Sequence, residues 1–175
     1  YNQTDDLKVS AKSPQDFVSE ADTNVEQFIV SQLAQKLPED SFFGEESGGT
    51  LDGQGWVVDP IDGTTNFIKH IPFWCISMAY LVNDNIELAL IYDPVHEDLF
   101  SAAKGEGTEL NGKKVSVSDA PELSKATICY GQSFRTDTSL VVKHLESLLA
   151  DQGLLRLSGS GALALAYVSC GRFDG

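Results

Sequence analysis

Cysteine, positive charge and long apolar runs are all scarce in this chain, and each shortage narrows what it can do. There are 3 cysteines in 175 residues, an odd number with no metal-ligand spacing, which argues for a reducing compartment over a disulfide framework. Cys75, Cys129 and Cys170 all stand in apolar surroundings and read as buried small hydrophobes. Lys and Arg number 12 against 26 Asp and Glu, a net charge of −14, which argues against nucleic-acid backbones and anionic membranes as direct partners. No apolar run approaches membrane-spanning length, and neither a signal peptide nor an internal repeat is visible. The expectation from what is missing is a soluble, cytoplasmic protein.

What is present is apolar mass and spread acidity. At 42% hydrophobic residues the chain can build one sizeable core or two small lobes. The acidic residues are distributed along the chain instead of forming a tail, as on a solvated surface.

The chemistry-bearing stretch is Trp56-Val-Val-Asp-Pro-Ile-Asp-Gly-Thr-Thr-Asn-Phe67. An apolar triplet reads as a buried strand end that delivers Asp59. Pro60 then stiffens the backbone and Gly63 frees it, so that Asp59 and Asp62 can converge on one point. Asp-Pro and Asp-Gly are also ordinary turn formers, and the spacing alone fits a plain strand-to-loop turn equally well.

Upstream, residues 1–15 are polar, with a loop at Lys12-Ser-Pro14. Thr23 and Glu26 read as a capping box opening a helix whose apolar face is Val25, Phe28, Ile29, Leu33 and Leu37, ended by Pro38. Asp22 therefore stands at a helix start, where capping is its bland role. Ser41-Phe-Phe43 reads as a short strand running into Gly44-Glu45-Glu46-Ser47, and residues 48–55 as a flexible surface excursion.

Downstream, an antiparallel meander is expected: Trp74–Val82, a turn at 83–85, Ile86–Tyr92, a turn at Asp93–Asp98, Leu99–Ala103, and a tight Asn111-Gly112 hairpin before Lys114–Val117. His96 reads as a surface residue in one of those turns. A strand at Ala126–Tyr130, a helix at Leu140–Ala150 with Leu140, Val141, Leu145, Leu148 and Leu149 inward, and a strand at Leu154–Leu157 follow. Ser158-Gly-Ser-Gly161 then opens a small-residue helix over Ala162–Cys170 that Gly171 ends. A Gly/Ser turn feeding a helix start suits an anion, and equally suits close helix packing.

Asp22, Glu45/Glu46, Asp59 and Asp62 thus stand at element ends. Carboxylates brought together need cations or protons between them. Oxygen-only donors favour Mg²⁺, Mn²⁺ or Ca²⁺ over zinc, and paired ions can stabilise both oxygens of a phosphoryl transfer.

Gly44-Glu45-Glu46-Ser47 followed by Asp59-Pro-Ile-Asp-Gly-Thr64-Thr-Asn-Phe67 closely resembles the inositol monophosphatase family of Mg²⁺-dependent, lithium-sensitive phosphatases. The resemblance runs from about Lys12 to Gly175 and includes Asp16–Asp22, Leu110-Asn-Gly112, Gly159-Ser160-Gly161 and Gly171-Arg-Phe-Asp-Gly175. It implies an α+β fold, a layered αβαβα sandwich of the inositol monophosphatase and fructose-1,6-bisphosphatase type, usually a homodimer. The implied division is a lobe over residues 1–120 with the metal site and meander, and the start of a second lobe over 121–175.

By the same resemblance, two or three Mg²⁺ ions would be held by Glu45, Asp59, the carbonyl of Ile61, and Asp62. Thr64, oriented by Asp22, would position the attacking water, with Glu45 also in the catalytic set. The backbone N–H groups of Gly63 and Thr64 would hold the phosphate, and Gly159, Ser160 and Gly161 would line the polyol pocket. Glu46 would orient its neighbours. A later Trp-Asp motif that completes the second metal site in the family does not occur in the chain, so the expectation is that these residues are part of a longer polypeptide. The implied activity is hydrolysis of inositol monophosphate or a similar polyol or sugar phosphate. The alternative is a protein-binding role in transcription and ribosome assembly, as in the extragenic-suppressor subgroup, with or without that activity.

Overall fold

An eight-stranded sheet is the largest unit of the fold, seen in a computed structural model that describes residues 9–13, 16–131 and 136–175. In chain order the strands are β1 (Val9–Ser13), β2 (Asp16–Ser19), β3 (Ser41–Gly44), β4 (Gly48–Gly49), β5 (Gln54–Asp62), β6 (Cys75–Val82), β7 (Asn85–Asp93), β8 (Asp98–Ala103), β9 (Gly107–Leu110), β10 (Lys113–Lys114), β11 (Thr127–Cys129) and β12 (Leu154–Arg156). The helices are α1 (Glu20–Lys36), α2 (Thr64–Ile68), α3 (Thr138–Ala150) and α4 (Gly161–Ser169), with a 3₁₀ turn at Leu123–Lys125. The large sheet runs β10-β9-β8-β7-β6-β5-β3-β4, mixed because β3 lies parallel to β5 while the other pairs are antiparallel. Two-stranded sheets, β1-β2 and β11-β12, flank it in sequence. This is a mixed α+β architecture. Among the described residues no helix is long and apolar enough to cross a membrane.

The meander forms where its turn residues demand it. Asn83 and Asp84 both take positive φ (48° and 63°), as do Asn111 and Gly112 (50° and 74°), the left-handed pair that a two-residue hairpin needs. Only residues 113–114 continue the last hairpin as a strand, short of the expected 114–117. His96 is half exposed at its turn, as expected, and its ring Nδ1 lies 2.7 Å from the fully buried Asp93 carboxylate.

Pairing also reaches into two places read as loops. Val9–Ser13 is a strand, so Lys12 and Ser13 are not in a loop, while Pro14 and residues 1–8 lie outside the described residues. Within 48–55, Gly48 and Gly49 form β4 against Phe43 and Gly44. Strand β5 does not stop at Val58 but continues through Pro60, with the ladder slipping between Asp59 and Asp62. A proline fits there because a bulge needs no ladder donor from it.

Two helix faces differ from expectation. Helix α1 begins at Glu20, ahead of Thr23, and its fully buried residues are Asp22 and Glu26, while Phe28 is 66% exposed. The capping-box reading fails because the Glu26 carboxylate is taken up by a distant turn, described below. On α3, Asp137 caps by accepting from Ser139 N–H. Leu140 and Leu149 are exposed, leaving the narrower line of Val141, Leu145 and Leu148 turned inward.

The core lies between α4 and the face of the meander. Cys75, Phe100, Leu163 and Ala166 are buried together, with Phe73, Ile91, Leu110 and Tyr167 packed around them. The three cysteines are free; Cys75 is wholly buried, as expected, whereas Cys129 and Cys170, also expected inside, are only partly buried. Arg172 stacks on Tyr167 (4.7 Å to the ring centroid) and donates to Asp98 at 2.7 Å, tying the end of α4 to β8. Beyond it the chain runs back beside β11, where Cys129 N–H donates to Gly175 O at 2.7 Å.

Strand β5 is held close to β3 by a glycine. A Cβ on Gly55 would overlap the carbonyl oxygen of Ser41 on the neighbouring strand. Gly55→Ala therefore destabilises by about 1–3 kcal/mol, the usual range for overpacking. At this chain length that lowers the melting temperature by roughly 2–4 °C per kcal/mol. An unchanged thermal melt would show that β3 and β5 can part at no cost.

Candidate functional site

The parallel β3–β5 pair decides which acids meet. Gly44 stands opposite Val58, and Glu45 N–H continues the ladder by donating to Val58 O at 3.0 Å. That register sets Glu45 beside Asp59 at the end of the sheet, and their carboxyl groups share a hydrogen bond. Asp59 Oδ1 also accepts from Ile61 N–H at 3.1 Å, so the proline turn folds back on its own aspartate.

Asp59 is held as a weak acid. Burial, then the charge and hydrogen bond of Glu45, then the charge of Asp62 push its pKa from 3.8 up to about 8, against the opposing pull of the Ile61 N–H. Near neutral pH the protonated form of Asp59 is therefore favoured, in contact with Glu45. Two carboxylates this close need positive charge between them, and a proton is the smallest form of it.

Asp62 faces another way. Its carboxylate accepts from Ser160 Oγ and Ala162 N–H, both at 2.6 Å, and more distantly from Gly161 N–H at 3.4 Å. It thus joins the end of β5 to the start of α4, where the unpaired N–H groups of the first turn favour an anion. Ser160 itself caps α4 by accepting from Leu163 N–H. The buried Cys75 thiol lies against the same carboxylate, and burial followed by the charge of Asp62 holds it protonated.

Among the described residues, no set of three His, Cys, Asp or Glu side chains is gathered closely enough to hold an ion. The structure brings Glu45 and Asp59 into contact and places Asp62 within electrostatic range of Asp59. Two carboxyl groups in contact, on the turn that carries the Ile61 carbonyl, are a hard, oxygen-only donor set that suits a divalent cation.

Thr64 is tied to the same turn through Ile61. Its Oγ1 is 3.1 Å from Asp22 Oδ1 and 3.1 Å from Ile61 O, both acceptors. The single hydroxyl proton can serve one of them at a time, so the oxygen's lone pairs remain for a water that needs to give up a proton. Asp22 comes from α1, 42 residues away, and is 2% exposed.

The glycine turns meet as well. Gly63 caps α2 in a left-handed conformation (φ 97°), and a Cβ there would press on Ser160 Cβ, Gly159 O and Phe73 O. Asn66, one turn into α2, donates to Phe73 O and Ser158 O, both at 2.6 Å, which clamps the Ser158–Gly161 turn beside Gly63. An open cleft of about 620 Å³ adjoins it, lined in part by Tyr130, Ser158, Gly159, Ser160, Gly161 and Leu165. That volume is within the range of small-molecule sites.

Sequence reasoning missed two residues that hold these pieces in place. Asn66 stood inside the quoted motif without a role. Glu26 was read as a local cap, although its spacing of four from Asp22 puts both on one helical face, a signal that the face is polar and buried.

A model of the inositol monophosphatase family matches residues 1–175. The chain is 36% identical over 180 residues to "Nus factor SuhB" of Escherichia coli strain K12, covering 100% of this chain and 67% of that protein. It is 39% identical over 178 residues to "Inositol monophosphatase" of Dictyostelium discoideum, covering 95% of this chain and 65% of that protein. The structure of extragenic suppressor protein suhB from Bartonella henselae superposes with a TM-score of 0.93 at 34% identity, over 98% of this chain and 67% of that one. An IMPase/NADP phosphatase complexed with Mg²⁺ and phosphate gives a TM-score of 0.82 at 27% identity, over 96% of this chain and 64% of that one. The chain spans about two thirds of the length of these relatives.

Proposed function

The chain belongs to the inositol monophosphatase family, and from that premise we propose that it is a Mg²⁺-dependent phosphomonoesterase acting on inositol monophosphate or a similar polyol or sugar phosphate. The observation that carries this reading is the contact of Glu45 with Asp59, two acids whose joint charge calls for a cation, together with a threonine hydroxyl held by a buried aspartate. A magnesium-phosphate complex of a relative supports it.

In this reading Glu45, Asp59, the Ile61 carbonyl and Asp62 hold the metal, two or three ions in all. Bound magnesium makes water more acidic and offsets the charge that builds on phosphate oxygens. Thr64 accepts a hydrogen bond from the attacking water, and its own proton is directed to Asp22 or to the Ile61 carbonyl. The N–H groups of Gly63 and Thr64 hold the phosphate at the start of α2, and Gly159, Ser160 and Gly161 face the polyol in the adjoining cleft. Asp62 serves both halves, since its carboxylate already joins the motif to the start of α4.

The test is phosphate release from several polyol phosphates by the full-length polypeptide, with and without Mg²⁺ and with added Li⁺. Magnesium-dependent, lithium-inhibited release is the expected result. No release from any of them sinks the reading. The homodimer belongs to the same proposal and is read by light scattering.

A second reading is favoured by the name of the Escherichia coli relative, a Nus factor, at 36% identity across the whole chain. It is a protein-binding role beside or in place of hydrolysis, and a net charge of −14 suits a basic protein partner. Pulldown with wild type and an Asp59→Asn variant separates the two roles. A partner retained by the inactive variant supports binding independent of chemistry, and an empty pulldown from both removes this reading.

A further inference from the structure

We propose that Glu26 is a positioning residue for the metal site, an inference that rests on the phosphatase reading above. Its carboxylate is 1% exposed and bridges two consecutive backbone donors: Oε2 accepts from Glu46 N–H at 2.7 Å and Oε1 from Ser47 N–H at 2.9 Å. The turn that presents Glu45 is thereby gripped from two sides. Strand β5 holds it through Glu45 N–H and Val58 O, and α1 holds it through Glu26.

The fit leaves no slack. Gly44 lies flush against the carboxylate, and a Cβ there would overlap all three of its atoms. One turn earlier on the same helix face, Asp22 reaches Thr64. A single buried face of α1 therefore sets both the threonine hydroxyl and the backbone from which Glu45 meets Asp59.

Two donors converging on two oxygens require a carboxylate. Hydrogen bonds to an ionised acceptor are the short, strong kind. Glutamine offers one acceptor and turns an NH₂ group toward the second N–H, donor against donor. Aspartate keeps both oxygens but is one methylene too short to reach both amides from the same helix position. Either change lets the 45–47 turn drift while leaving Glu45 itself intact.

Calorimetric titration of Mg²⁺ into the full-length polypeptide decides it, read beside thermal melts and the split between KM and kcat. Glu26→Gln is expected to raise the Mg²⁺ Kd by about 10–100-fold, as loss of outer-shell support does, and Glu26→Asp by an intermediate factor. At Mg²⁺ raised in proportion, phosphate release returns with KM for the ester little changed. The exposed Glu39→Gln serves as a control and leaves the Kd at its wild-type value.

A folded Glu26→Gln or Glu26→Asp variant with wild-type Mg²⁺ affinity overturns the proposal, as does failure of both to fold, which would make Glu26 a core residue only. Wild type that takes up Mg²⁺ and hydrolyses the ester alongside such variants loses this inference alone. Wild type that takes up no Mg²⁺ overturns the proposed function with it.

Discussion

Replacing Asp59 by asparagine abolishes Mg²⁺-dependent phosphate release and at the same time raises the melting temperature of the metal-free protein. Outer-shell changes cost a metal site about 10–100-fold, so loss of a proposed ligand is expected to lower kcat/KM by about 10³-fold or more. The stability gain has a separate origin. Asp59 is driven up to about 8 from 3.8 by burial and by the charge of Glu45, so its ionised form is disfavoured in the fold. A group raised in the folded state contributes stability that is complete below its unfolded value and is lost as the pH climbs through its folded one. For Asp59 that window runs from 3.8 to about 8.

Asparagine does not titrate. The variant's advantage is therefore small near pH 4, grows through neutral pH, and levels off once Asp59 is fully ionised in the wild type. Allowing for the water that still reaches this half-buried group, the gain at neutral pH is about 1–2 kcal/mol, or roughly 2–4 °C per kcal/mol. Magnesium reverses the order, because an ion bound only by the folded wild type stabilises only the wild type. Melting curves from pH 4 to 9 with and without Mg²⁺ show both effects. An asparagine variant as active as wild type, or less stable at pH 8 without metal, contradicts the role given to Asp59.

Thr64→Val separates holding the metal from using it. The side chains have nearly the same shape, and only the hydroxyl between Asp22, Ile61 O and the open side is lost. Proton transfer through a positioned group is worth about 10²–10⁴-fold, and kcat is expected to fall by that much. Magnesium affinity stays within about twofold, since no proposed ligand other than the unchanged Ile61 carbonyl touches Thr64. Thr64→Ser restores most of the rate. Asp22→Asn keeps an acceptor oxygen for the hydroxyl and costs less, about tenfold, because orientation is weakened and not removed. Equal losses in metal affinity and rate for Thr64→Val would mean that the hydroxyl supports the ligand set instead of the water.

The contrast between Glu45 and Glu26 shows how far a linear reading reaches. Glu45 was legible because a glycine-flanked acid after a short apolar strand is an odd local choice, and because a second acidic motif follows it. Glu26 looked ordinary in its own neighbourhood, three residues after a threonine on a helical pattern, and its partners lie 20 and 21 residues ahead. Local pattern could not rank those distant amides above a helix cap. The exposed leucines of α3 failed for the related reason that helical period marks an apolar stripe without saying how much of it is covered.

What the sequence by itself determined is the family and the order of the elements. The paired acidic motifs name the family, and the Asn-Asp and Asn-Gly turns place the hairpins of the meander through backbone sterics. Only the tertiary structure decided who meets whom. The parallel register of β3 on β5 puts Glu45 against Asp59, Asp62 is drawn to the start of α4, and the buried face of α1 supports Thr64 and the 45–47 turn together. Those outcomes depend on hydrogen bonds between segments tens of residues apart, and such contacts leave no period or spacing in the chain for a reader to find.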